Sequence, residues 1–78
     1  MKRMTCRELG GACDLEFSAD SFDEIAALSK AHGLEMFRKA DPAHLQAMDA
    51  MKSLMADPSA MKKWFDGRRE AFEARPDE

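Results

Sequence analysis

Cysteine and histidine are the residue types in this chain best suited to chemistry, and there are only two of each: Cys6, Cys13, His32 and His44. The cysteines bracket the run Cys6-Arg7-Glu8-Leu9-Gly10-Gly11-Ala12-Cys13. Thiolates and imidazoles ligate zinc and other soft or borderline cations, so Cys6, Cys13 and His32 make a candidate ligand set. Their Cys-x6-Cys spacing is wider than the about two to four residues usual between paired zinc cysteines. Two small thiols lining a core, with a histidine at a helix end, are the competing structural reading. A fourth ligand has two candidates. His44 falls in the first turn of a helix, more often a surface position. Met36 lies one turn beyond His32, where a thioether would shift preference toward Cu(I). The same residues admit two other chemistries. A nucleophilic Cys–His pair needs a lowered thiol pKa, a third hydrogen-bonding group and a cleft. A reversible Cys6–Cys13 disulfide needs the two as cross-strand neighbours.

The elements that must position these groups are written in the apolar pattern. Residues 3 to 8 and 13 to 18 each alternate polar with apolar, and Gly10-Gly11 between them supplies the positive φ angles of a tight hairpin turn. A two-residue loop at those glycines sets Arg7 opposite Asp14, Cys6 opposite Leu15, Thr5 opposite Glu16 and Met4 opposite Phe17. Cys6, Cys13, Leu15 and Phe17 then face inward, and a register that pairs Cys6 directly with Cys13 keeps the same faces because the shift is even.

Ser21-Phe22-Asp23-Glu24 is a capping box, so the first helix begins there. Its apolar stripe runs through Phe22, Ile25, Leu28 and Ser29 to His32 and Met36, which puts His32 on or beside the buried face if the helix continues past Gly33. Gly33 could instead end the helix, with a short turn from 34 to 38. Asp41-Pro42 and Asp57-Pro58 repeat one device, an N-cap acid followed by proline at the first helical position. They start a helix over about 42 to 56, with Leu45, Met48, Met51, Leu54 and Met55 on one side. A third follows over about 58 to 74, carrying Met61, Trp64, Phe65, Arg68 and Phe72. The tail from Arg75 to Glu78 is expected to fray. The fold expected is α+β, an N-terminal β-hairpin packed on a three-helix unit in the order ββααα. It forms one small domain over 1–78, with 1–40 the hairpin and first helix and 41–75 a helical hairpin added to it.

Composition narrows the function classes. The chain has 78 residues and a formal charge of −3 with acids and bases interspersed, which is no footprint for nucleic acid or an anionic membrane. Lys62, Lys63, Arg68 and Arg69 cluster, but Asp66, Glu70 and Glu73 sit among them, the pattern of a solvated helix face. Met1-Lys2-Arg3 is followed by Thr5, Arg7, Glu8 and Asp14 where a signal peptide would need an apolar stretch, so a cytoplasmic protein is expected, in which paired cysteines serve as thiols or metal ligands. Seven methionines are many for this length. Met48, Met51 and Met55 form a flexible apolar stripe that either fills an irregular core or, with Trp64, offers a surface to a protein partner or a second copy. Trp64 and Phe65, being adjacent, cannot both point into one narrow core.

Thr5-Cys6-Arg7-Glu8-Leu9-Gly10, then Cys13-Asp14, the acidic helix start Asp23-Glu24 and His32-Gly33 give residues 4 to 34 a resemblance to a widespread group of short, mostly bacterial proteins catalogued as a domain of unknown function. Many members carry two cysteines and two histidines, the second histidine directly before glycine, in what resembles a small metal-binding site. The resemblance implies Cys6, Cys13 and His32 as ligands. It departs at Ala27, which stands where such members have their first histidine, so a fourth ligand cannot be carried over. The expectation is a small zinc-binding protein, with Cu(I) the second choice of ion. A metal-free interaction module using the Met-rich face is the alternative, and thiol redox chemistry the third.

Overall fold

The computed structural model describes residues 1–78 and has the expected α+β order: a two-stranded antiparallel sheet followed by three helices. Strand β1 spans Lys2–Thr5 and β2 Glu16–Ala19, with Met4 opposite Phe17 and Thr5 opposite Glu16 as the alternation predicts. The strands are shorter than the alternating runs, and the connection is not a two-residue turn. The register holds through Cys6, whose N–H donates to Leu15 at 2.8 Å, and slips by one residue only after it, where the Arg7 N–H donates to Cys13 at 2.9 Å rather than to Asp14. Leu15, although it stands opposite Cys6 as expected, is 49% exposed rather than inward.

The chain from Arg7 to Leu9 makes a short 3-10 turn. Thr5 and Glu8 exchange hydrogen bonds across its start, Thr5 N–H to Glu8 Oε1 at 3.0 Å and Glu8 N–H to Thr5 Oγ1 at 3.1 Å, in the manner of a capping box. Gly10 ends the turn at φ 94°, a left-handed conformation that glycine adopts without a Cβ penalty.

Helix α1 runs Phe22–Arg38, started by Ser21, whose hydroxyl accepts from the Glu24 amide. It passes through Gly33 without a break, so the shorter alternative is not what forms. It ends instead at Ala40, a non-glycine residue at φ 54°. There the Ala40 N–H donates to Phe37 and the Asp41 N–H to Met36, the paired bonds of a Schellman motif. That reversal delivers Asp41 as the cap of α2, Pro42–Met55; Asp57 caps α3, Pro58–Glu73.

The core is small and lies at one end. Met4, Cys6, Phe17 and Ala19 from the hairpin region pack with Phe22 and Ile25 from the first turns of α1 and with Phe72 from the last turns of α3. Phe72 meets Phe22 edge-on at 6.1 Å between ring centroids. The C-terminal tail does not fray: Glu78 N–H donates to the Met1 carbonyl, Arg3 pairs with the Glu78 carboxylate at 2.6 Å, and Arg75 pairs with Glu8. Nor is the basic cluster wholly a solvated face. Lys62 pairs with Asp66 in solvent, while Arg68 turns inward and donates from Nη1 to the Glu8 carbonyl at 3.2 Å. No helix is long and apolar enough to cross a membrane.

Candidate metal centre

Cys6 follows the last residue of β1 and is 2% exposed, and the loop after it winds back around its side chain. The Cys6 carbonyl accepts from the amides of Leu9 at 3.1 Å and Gly11 at 2.8 Å. The amides of Ala12 and Cys13 turn toward its sulfur. At Gly11 the approach is so close that a Cβ would lie 2.1 Å from Cys6 Sγ and 3.0 Å from the Cys6 carbonyl oxygen; only glycine fits there. Eight residues of chain thus curl into a knuckle that brings the second cysteine beside the first.

His32 comes from the middle of α1, because that helix runs on past Gly33. Its Nε2 is 3.3 Å from Cys13 Sγ. His44 comes from the first turn of α2. Sequence reasoning favoured a surface position for it, but it is 6% exposed, and its Nε2 lies 3.7 Å from Cys6 Sγ. The two imidazoles stand edge to face with centroids 5.2 Å apart. All four donor atoms lie within 4.8 Å of one another.

These distances can be set against a tetrahedral shell. Metal–sulfur and metal–nitrogen bonds of about 2.3 and about 2.05 Å give sulfur–nitrogen edges of about 3.5 Å and a sulfur–sulfur edge of about 3.8 Å. The observed sulfur–nitrogen pairs, 3.3 and 3.7 Å, bracket the first value, and with every pair within 4.8 Å no edge need contract by more than about 1.5 Å. Four donors of this kind could hold a metal ion. His44 supplies the fourth place in the cluster, so no thioether from Met36 is needed to complete it.

Asp41 is the residue that sequence reasoning saw only as a helix cap. One oxygen, Oδ2, accepts from the His44 amide at 3.0 Å and sits 2.6 Å from His44 Nδ1. A carboxylate is an acceptor, so Nδ1 carries the proton and Nε2 turns its lone pair toward the cysteines. The signal was present as Asp-Pro-x-His: an N-cap carboxylate and the residue three places on meet across the first helical turn.

The electrostatics follow from this packing. Burial pushes the Cys6 thiol up, against the amides of Cys13 and Ala12 that favour its thiolate. Burial also acts to raise Cys13, yet the Leu15 amide, the His44 ring and the Cys6 side chain together bring it below its ordinary value. The Asp41 carboxylate raises His44, and His44 in turn lowers Asp41.

Beside the cluster lies a cavity of about 320 Å³ that reaches from Cys6 and His44 to Met48, Met51 and Met55. A second, of about 560 Å³, continues from Met51 and Met55 to Trp64, Phe65 and the α1 side chains Phe22 and Ala26. Trp64 and Phe65 both stand half-buried along it, edge to face at 5.0 Å.

Fold and site together define a small α+β protein with a Cys2His2-type cluster that could hold a metal ion. Set against protein-family models, curated proteins and solved structures, the chain matches none.

Proposed function

We propose that this is a zinc-binding domain in which Cys6, Cys13, His32 and His44 hold one Zn²⁺ in a closed, four-coordinate shell. The observation that carries this is the convergence of the four donors from the knuckle, α1 and α2, with Asp41 behind His44 in the carboxylate–histidine arrangement that orients metal-ligating imidazoles. Two thiolates with two imidazoles suit zinc better than Cu(I), which softer, sulfur-richer sets select. Four protein ligands leave no open position for substrate, so the ion would serve structure rather than hydrolysis, and its affinity would be part of the folding free energy. The resemblance of residues 4 to 34 to a small metal-binding core supports the same reading. Two free thiols at such a site suit a reducing cytoplasm.

Native mass spectrometry of protein purified without tag or chelator, with elemental analysis of the same sample, tests the proposal. The expected result is one zinc per chain, lost in Cys6→Ser. Metal-free protein that takes up no zinc on titration would overturn it.

The apolar groove past Met51 and Met55 favours a second role, an interaction surface used by a protein partner or a second copy. Met51→Lys and Trp64→Ala should then abolish association seen by sedimentation while leaving zinc content unchanged. Unaltered association in both variants would remove that role.

A further inference from the structure

The two helices that follow residue 41 are attached to the rest of the molecule by different means. Helix α3 buries Phe72 in the core and is tied to the knuckle by Arg68. A further bond runs from Lys2 Nζ to the Glu73 carbonyl at 2.7 Å. Helix α2 lies against α1 and α3 but contributes no apolar side chain to the buried core. The one side chain it buries is His44. Its apolar residues Leu45, Met48, Met51 and Leu54 are only half-buried and Met55 is 50% exposed; Met48 reaches Gly33 and Met51 reaches Gly10, but the cavity of about 320 Å³ leaves the remainder of the methionine face without partners. Side chains that border a void lack partner atoms on that side and gain little from packing. Of the buried imidazole's nitrogens, Nδ1 is satisfied within α2 by Asp41, and the link to the rest of the protein is through Nε2, 3.7 Å from the Cys6 sulfur.

We infer that the ion fastens α2 to the protein: ligation of His44 together with Cys6, Cys13 and His32 docks the helix, and loss of the ion releases it while α3 stays in place. This rests on the metal-centre reading above and adds to it a division of labour within the chain. Cys6, Cys13 and His32 all belong to the hairpin and α1, whereas His44 alone crosses to the added helices. The ion is therefore a joint between two parts of the sequence rather than a staple within one. Release of α2 would also take away Met51 and Met55, which form one wall of the larger apolar groove, so the groove would exist only in the loaded protein.

Hydrogen exchange resolved by residue, on the whole protein with zinc and with a chelator, tests this, since local opening is read directly from amide protection. Removing zinc should speed exchange in α2 by about 100-fold or more and in the last turns of α3 by no more than about 3-fold. The variant His44→Ala gives the second arm. Cys6, Cys13 and His32 remain to bind Co²⁺ as a probe, so thiolate-to-cobalt absorption should persist at weaker affinity, yet α2 should exchange fast even when loaded. Equal α2 protection in loaded and chelated wild-type protein would overturn the fastening role while leaving the metal centre intact. Absence of any thiolate-to-cobalt absorption in the wild type would remove both.

Discussion

Helices α2 and α3 begin with the same device, an aspartate cap followed by proline, and each buries a single side chain, yet the two residues differ in kind. Phe72 fills an apolar core and needs nothing added; its burial is favourable by itself. His44 is polar, capped on one nitrogen by Asp41 and facing two sulfurs with the other. One helix is held by the hydrophobic effect, the other by a group whose worth depends on what it ligates. In a chain of 78 residues with a small core, the metal joint proposed above would substitute for apolar area.

The strongest way to break the comparison is Phe72→Ala. Truncating a buried phenylalanine costs about 3–5 kcal/mol, and here the loss should appear in thermal melts with zinc or without it. A loss seen only in the loaded protein would mean that α3, too, depends on the joint. Next in size is Gly11→Ala, whose Cβ has no room beside Cys6 Sγ and must displace the knuckle. Cobalt affinity should collapse and α2 should loosen, with the Phe72 end of α3 still protected from exchange. Uniform loss of protection along the chain would show that the knuckle supports the whole fold rather than the joint.

Asp41→Asn sharpens the contrast more gently. Weakening an outer-shell partner lowers metal affinity by about 10- to 100-fold, measurable by competition with a chelating dye. The pH dependence carries a sign that distinguishes the two states. In metal-free protein His44 is raised above its ordinary 6.5, so the stability it contributes is fully present below 6.5 and fades as pH climbs through the raised value. Asp41 is lowered from 3.8, so its contribution holds above 3.8 and fails as pH falls through the lowered value. Metal binding runs the other way, since thiolates and a neutral imidazole are required and acid competes with the ion. Chelated protein should therefore lose stability on going from pH 6 to pH 8 in wild type but not in Asp41→Asn, while zinc affinity rises over that interval; a matching loss in the variant would contradict the pairing.

The smallest effect is expected from Ala40→Gly. Ala40 holds φ 54° at the end of α1, a conformation that glycine enters without a steric penalty. Relief of that strain should stabilise the protein by about 1 kcal/mol at most, equally with and without zinc. A gain confined to one state would mean that the turn between α1 and α2 moves with the joint.

Much of the frame was legible in local pattern. The pairing of Met4 with Phe17 follows from alternation, since a slip by one would turn Phe17 to solvent. The starts of all three helices follow from Ser21, Asp41 and Asp57, whose side chains accept from amides two or three residues on. The candidate site was legible only in part. Cys6, Cys13 and His32 belong to a hairpin and the helix after it, where spacing and face already speak. The knuckle was not, because the fit of Gly11 against Cys6 Sγ is a matter of close approach and not of turn propensity. His44 was legible only as one of two candidates for a fourth ligand, and Asp41 only as a cap: a first-turn histidine is ordinarily exposed, and its burial here depends on where the reversal at Ala40 aims α2.

The sequence by itself determined the element order, the strand register, the helix starts and the residue types able to ligate a metal, because each depends on interactions among residues close along the chain. Tertiary structure alone decided that His44 rather than Met36 joins the two cysteines and His32, that Asp41 backs it, and that one of two similarly started helices is anchored by an imidazole and the other by a phenyl ring. Those outcomes depend on how separate helices pack in space, and no local pattern encodes the distance between Cys6 and a histidine in α2.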